Sequence, residues 1–165
     1  MNIFITGNPG CGKSTLIKKL LEEIFNKRVS GIITPEIRTN RERQGFKIID
    51  IASGKEETLA SANIEPGPGV SKYRVNLEGI DIIMGKFLES YEDSEYVVID
   101  EIGMMELYSK KFREIIEMVI NSNKIVIATL SRRFLREFKS RGEVFFLTRD
   151  NFDEICLKLV SRLKR

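Results

Sequence analysis

Residues 2–15, Asn-Ile-Phe-Ile-Thr-Gly-Asn-Pro-Gly-Cys-Gly-Lys-Ser-Thr, constrain this chain more than any other stretch. Ile3, Phe4 and Ile5 make an apolar run long enough for a buried strand. Gly7-Asn8-Pro9-Gly10-Cys11-Gly12-Lys13-Ser14 then fits G-x-x-x-x-G-K-[ST]. A helical pattern opens directly behind it, which is the strand–loop–helix context this motif requires. Its chemistry is anion capture. The glycines let consecutive backbone N–H groups turn inward, and the N-terminus of the following helix adds partial positive charge. Lys13 is placed to neutralise β- and γ-phosphates, and the Ser14 hydroxyl to hold Mg²⁺, with Thr15 completing the nucleotide-binding set. At ordinary glycine usage, a chance match somewhere in a chain of this length is roughly a half-percent event.

The 165 residues suit one domain spanning 1–165, with a core that buries about two-thirds of the unfolded surface. A net charge of +3 is too small to imply nucleic acid by itself. Cys11 and Cys156 have neither metal-ligand nor disulfide-framework spacing, and Cys11 lies inside the phosphate loop, so a reducing, cytoplasmic setting is expected. No apolar stretch approaches the length of a membrane span. A strand that starts at Asn2 leaves no room for a signal peptide. The chain contains no histidine. Acid–base chemistry must therefore come from carboxylates, lysine, tyrosine, cysteine or metal-bound water.

Behind the loop, Leu16, Ile17, Leu20, Leu21, Ile24 and Phe25 recur at helical spacing and predict a helix over 13–26. Residues 29–34 form the next β-like run. The polar stretch 35–45 and the β-like residues 46–51 make 32–51 read as a hairpin around Asn40. Residues 52–70, broken by Ser53-Gly54 and Pro66-Gly67-Pro68-Gly69, are expected to be irregular, and their length favours a functional or mobile segment. A short strand over 72–75 leads to a helix capped by Asn76 and ending near Tyr91, with Ile80, Ile83, Phe87 and Leu88 on its apolar side. Tyr96-Val97-Val98-Ile99 is a fully apolar strand that ends in Asp100-Glu101. Ser109 caps another amphipathic helix, marked by Phe112, Ile115, Ile116, Val119 and Ile120. Residues 124–130 read as a buried strand, 132–141 as a basic helical segment and 144–147 as a last strand. Asn151 with Glu154 reads as a capping box that opens the terminal helix. The alternation predicts an α/β fold: a mostly parallel sheet flanked by helices on both faces, with a β-hairpin insertion after the second strand.

In open α/β sheets, ligands gather at the carboxyl ends of the strands. That edge carries Thr6-Gly7, Thr34, Asp100-Glu101 and Thr129. Asp100, closing a buried apolar strand, is the expected Walker B carboxylate, holding Mg²⁺ directly or through water. Glu101, a second carboxylate just beyond it, can orient and deprotonate a water for attack on the γ-phosphate; the bland alternative is a solvated loop residue. Arg38 and Arg43 at the hairpin and Arg132 after the fourth strand are candidates to stabilise the transition state, and each is as readily explained as solvated surface. The run Arg132-Arg133-Arg136-Lys139-Arg141 is short and interrupted by Glu137, so a nucleic-acid partner is not expected. Asp100-Glu101-Ile102-Gly103 also reads as the D-x-x-G of regulatory GTPases, which makes Gly103 a nucleotide-site candidate. The Asn-Lys-x-Asp that reads guanine in such proteins has no match here.

These residues resemble one family, the small nucleoside triphosphatases first known from thermophiles and also found in animals as the cancer-related nucleoside triphosphatase. The resemblance covers nearly the whole chain. It rests on Gly7 to Thr15, on Thr34-x-Glu36-x-Arg38 with Arg43-x-Gly45-Phe46, and on Lys72-Tyr73-x-Val75. Its most specific string is Val98-Ile99-Asp100-Glu101-Ile102-Gly103-x-Met105-Glu106-Leu107. The resemblance implies slow, base-tolerant, Mg²⁺-dependent hydrolysis of nucleoside 5′-triphosphates to diphosphates, on a RecA-like sheet, by a monomer. This sequence departs from the pattern at Met104, where lysine is usual, and at Ser71 and Ser131, in place of glycine and proline. Asn40-Arg41 replaces glycine at the hairpin tip. The expected enzyme is thus a nucleoside-triphosphate phosphohydrolase. A small-molecule or nucleotide kinase with residues 132–141 as a lid, and a nucleotide-gated binding module, are the alternatives.

Overall fold

A computed structural model describes residues 1–164. The strands are β1 (Asn2–Thr6), β2 (Val29–Ile33), β3 (Glu36–Thr39), β4 (Glu42–Asp50), β5 (Glu56–Ser61), β6 (Gly69–Val70), β7 (Tyr73–Val75), β8 (Tyr96–Ile102), β9 (Ile125–Leu130) and β10 (Glu143–Phe146). The α-helices are α1 (Lys13–Glu23), α2 (Leu77–Tyr91), α3 (Lys110–Ile120), α4 (Leu135–Phe138) and α5 (Phe152–Leu163), with 3₁₀ turns at Glu106–Tyr108 and Arg132–Phe134.

Alternation within the apolar strands decides which helix packs where. Ile3, Ile5, Val98 and Ile127 face one side of the sheet and pack with Leu16, Leu20 and Leu159 from α1 and α5. Phe4, Val97, Ile99 and Val126 face the other, where Phe87 of α2 and Phe112 of α3 fill the layer. A strand buried on both faces needs apolar residues at every position, which is why these runs show no polar alternation. The side chains of Asn76 and Ser109 start α2 and α3 as expected. Asn76 Oδ1 accepts from Gly79 N–H at 3.2 Å, and Ser109 Oγ from Phe112 N–H at 3.0 Å.

The sheet runs β10-β1-β9-β8-β2-β4-β5-β7-β6, with β3 paired to β4 beside that path. From β10 to β2 all neighbours are parallel. From β2 onward all are antiparallel. β3 and β4 turn over Asn40 and Arg41, both at positive φ (51° and 66°), as a two-residue primed turn demands. The inner end of β4 lies between β2 and β5.

Four expectations need correction. Residues 52–70 are not irregular throughout: β5 lies within them, with Leu59 and Ala60 buried and the strand paired along β4. Its sequence, Glu-Glu-Thr-Leu-Ala-Ser, carries too few branched apolar residues to announce a strand, so pairing with β4 decides its structure. The first helix stops at Glu23, and Phe25 is 83% exposed instead of lying on an apolar helix face. Only the Arg132–Phe134 turn and the four-residue α4 are helical within 132–141. Asn151 does not cap α5 with its side chain; Oδ1 accepts from Thr148 N–H at 2.7 Å and Nδ2 donates to Phe146 O at 2.9 Å, bracing the preceding loop.

β2 and β8 approach closely because residue 31 is glycine. A Cβ there would lie 2.0 Å from the Val98 carbonyl oxygen, at a φ of 154°. Gly31→Ala is expected to cost about 3 kcal/mol or more, in the range of severe core lesions, read as a drop in the urea midpoint at unchanged m-value.

Candidate active site

The loop between β1 and α1 is shaped by backbone that ordinary side chains avoid. Gly10 and Gly12 have φ of 77° and 105°. Gly7 admits no Cβ, which would meet Leu147 O at 2.5 Å and Cys11 Sγ at 2.7 Å. Cys11 N–H closes the turn on Asn8 O at 3.1 Å. Lys13 Nζ donates to the carbonyl oxygens of Gly7 (3.1 Å) and Asn8 (3.3 Å), so the ammonium lies across the cup. No side chain caps the start of α1, whose first N–H groups remain available to an anion. Ser14 and Thr15 are exposed on that first turn.

At the carboxyl end of β8 the chain leaves its ladder. Pairing with β9 slips between Ile99 and Ile102, so Asp100 and Glu101 fall in an irregularity of the kind that re-aims side chains beside functional sites. Asp100 is only 7% exposed, and its Oδ1 accepts from Thr129 Oγ1 at 2.6 Å. Thr34 Oγ1 donates to the Asp100 carbonyl oxygen at 2.7 Å, and Thr6 Oγ1 to Leu130 O at 2.8 Å. Thr34 and Thr129 therefore brace the acidic strand end, and Thr6 ties β1 to the end of β9.

Glu101 is partly buried, and its carboxyl titrates above the usual carboxylate range. Burial is the main cause, the negative charge of Asp100 adds to it, and the Lys13 ammonium pulls the other way. Lys13, Asp100 and Glu101 thus share one electrostatic site. Glu106, 3% exposed, is pushed well above the ordinary range, first by burial and then by the charge of Glu101; its own N–H and that of Gly103 counteract. Gly103 separates these two carboxyl groups. A Cβ on it would sit 2.7 Å from Glu101 Oε1 and 2.8 Å from Glu106 Oε2.

The three candidate arginines part company. Arg132 Nη1 donates to Asn8 Oδ1 at 2.5 Å and so joins the phosphate loop. Arg38 and Arg43 are both paired with Glu36, at 2.8 Å and 3.2 Å. Arg43 also donates to the Tyr73 hydroxyl at 2.9 Å, so Glu36, Arg38, Arg43 and Tyr73 form one polar cluster. Arg133 Nη1 lies 3.3 Å from Met104 Sδ. Two residues by the loop, Arg149 and Phe152, carry no motif and were not expected there. Arg149 Nη2 is 3.5 Å from Gly10 O. Phe152 borders Gly12, where a Cβ would lie 3.2 Å from the ring. The sequence signal was at most their place behind a strand end on the same sheet edge.

The profile of a protein family described as NTPase matches residues 2–160. The chain belongs to this NTPase family. It is 40% identical over 174 residues to nucleoside-triphosphatase THEP1 of Methanocaldococcus jannaschii, covering 99% of this chain and 100% of that protein. Against nucleoside-triphosphatase THEP1 of Thermotoga maritima the identity is also 40%, over 170 residues, with 99% and 96% covered. The crystal structure of THEP1 from the hyperthermophile Aquifex aeolicus superposes with a TM-score of 0.84 at 34% identity, covering 100% of both chains. The solution structure of a human cancer-related nucleoside triphosphatase superposes with a TM-score of 0.78 at 28% identity, with 98% and 96% covered. The α/β P-loop fold read from the sequence is the fold of these NTPases. No described helix is long and apolar enough to cross a membrane.

The buried Glu106 gives this NTPase a pH-dependent liability. Its folded-state pKa lies above the unfolded value, so the folded protein holds a proton that the unfolded chain has released, and stability falls as pH rises above the ordinary carboxylate range. Glu106→Gln removes that slope. Thermal unfolding is expected to give the variant the higher Tm at pH 7–8, with the gap closing toward pH 4.

Proposed function

We propose that this chain hydrolyses nucleoside 5′-triphosphates, with broad base tolerance, to nucleoside diphosphate and phosphate in a Mg²⁺-dependent reaction. Membership of the NTPase family and relatives named nucleoside-triphosphatase support the reaction class. The observation that carries the mechanism is Glu101: a partly buried carboxyl of raised pKa, within the electrostatic reach of Lys13 and beside Asp100.

In this reading the N–H groups of the 7–15 loop and the Lys13 ammonium bind the β- and γ-phosphates. Ser14 Oγ and the Asp100 carboxylate are hard oxygen donors. They fit a small cation that takes one or two protein oxygens and fills the rest of its shell with phosphates and water, and Thr129 fixes one Asp100 oxygen at 2.6 Å. Bound there, Mg²⁺ would draw charge from the β- and γ-phosphate oxygens. Glu101 accepts a proton from a water as the water oxygen attacks the γ-phosphorus, and the bond from that phosphorus to the β-phosphate oxygen breaks. Of the three arginines, Arg132 is the one tied to the loop, through Asn8, and is assigned the transition-state charge.

Glu101→Gln is expected to lower kcat by at least about a hundredfold, a typical general-base effect, while the nucleotide Kd stays within about threefold. Lys13→Ala should lose both binding and turnover. Phosphate release from ATP, GTP, CTP and UTP, with and without Mg²⁺ and with no acceptor present, is the primary measurement. A kinase would release little phosphate without its acceptor, and a binding module would be indifferent to Glu101→Gln.

A further inference from the structure

Two clefts open on the flank of the phosphate loop away from the carboxylates. One, of about 230 Å³, runs between Asn8–Cys11 and the segment Leu147–Arg149. The other, of about 330 Å³, lies between Gly10–Gly12 with Thr15 and the residues Arg149, Phe152 and Asp153, within the roughly 300–1,000 Å³ of small-ligand sites. Arg149 borders both, and Lys13, Asp100 and Glu101 border neither. A triphosphate whose γ-phosphate lies at Lys13 and Glu101 must therefore leave the loop on the far side, past Gly12 and Thr15. Its nucleoside emerges into the second cleft.

We propose that the nucleobase lies in the cleft between Arg149 and Phe152 and is held there by its face, not by its hydrogen-bonding edge. This rests on the hydrolase reading for the direction of the triphosphate. Phe152 is set in place before any ligand arrives. Its ring borders Gly12, and Lys19 Nζ stands 5.2 Å from its centroid. Arg149 offers a planar guanidinium that stacks on a π-face as readily as an aromatic ring does. The cleft's remaining side-chain polar groups are the Thr15 hydroxyl and the Asp153 carboxylate, both exposed. Neither they nor Arg149 are fixed by a buried network, so the side chains present no rigid donor–acceptor pattern to a base edge. Every base has a π-face, and stacking is accordingly tolerant of sequence. Discrimination by hydrogen bonding requires buried polar groups that an incorrect ligand leaves unpaired.

The test compares a nucleotide with a ligand that has phosphates and no base. Calorimetric Kd values would be measured with Mg²⁺ for the β,γ-imido analogues of ATP and GTP and for inorganic tripolyphosphate, on the full chain. Phe152→Leu keeps an apolar group against Gly12 and removes the π-face, while Arg149→Ala alters an exposed residue. Each is expected to raise the ratio of nucleotide Kd to tripolyphosphate Kd by about tenfold, within the range for loss of one base–aromatic contact. The ATP and GTP analogues should weaken in parallel. An unchanged ratio in both variants overturns the assignment, because Arg149 and Phe152 would then act on the phosphates or on nothing. A selective loss of the GTP analogue in Asp153→Asn overturns the face-binding part, since an acidic acceptor would be reading guanine. The readout is binding, so a protein that binds both ligand types and fails to release phosphate refutes the hydrolase reading and leaves this ratio interpretable.

Discussion

Crowding of carboxyl groups at one poorly hydrated strand end is the constraint around which this molecule is arranged. The charge of Asp100 acts on both Glu101 and Glu106, and burial makes the charge on each of these two glutamates costly. A fold tolerates such a cluster when something offsets it. Here the offsets are specific: Thr129 Oγ1 on Asp100, the Lys13 ammonium on Glu101, and the N–H groups of Gly103 and Glu106 on Glu106. The most deeply buried of the three is Glu106, whose carboxyl burial and the charge of Glu101 push well above the ordinary range.

The strand order supplies the space in which that cluster can act. β9 lies between β1 and β8, so the phosphate loop and the acidic end stand two strand spacings apart, roughly 9–10 Å. The intervening strand contributes Thr129, whose hydroxyl donates to Asp100 Oδ1. Helices on both faces then make the arrangement stiff: Phe4, Ile99 and Val126 are locked against α2 and α3, and Ile5 and Val98 against α1 and α5. The site is positioned by strands buried on two sides, while the segments bearing Arg132 and Arg149 are exposed loops and short turns.

Legibility in the sequence followed from how local the physics was. The phosphate loop, the caps of α2 and α3 and the acidic end of β8 are each written within a few consecutive residues, and each was readable there. β5 was not, because Glu-Glu-Thr-Leu-Ala-Ser has no strong propensity and becomes a strand through its partner. Of the antiparallel half of the sheet only the hairpin over 32–51 was legible; that β4 turns back against β2 and goes on to carry β5, β7 and β6 depends on pairing between distant segments. Asn151 and Glu154 have capping-box spacing, yet the Asn151 side chain is better satisfied by Thr148 and Phe146 in the preceding loop. Arg38, Arg43 and Arg132 looked equivalent as exposed cations. What separates them is Glu36, close in sequence and paired with two of them, and the long-range placement of Asn8 beside the third.

The same separation of local from long-range chemistry bears on how selective such a site can be. At the phosphate end, backbone N–H groups and an ammonium meet full negative charges, and charge-assisted hydrogen bonds are about twice as strong as neutral ones. At the Arg149–Phe152 end the available contacts are an exposed guanidinium and one ring, weaker and indifferent to the identity of a base. Most of the affinity for a nucleotide would then come from the part that all nucleotides share. Selectivity for one base would require a buried, fixed polar pair in that cleft, and the exposed Asp153 and Thr15 do not constitute one. In the proposed reading, base tolerance would follow from a chain that concentrates its ordered polar groups around phosphate and water.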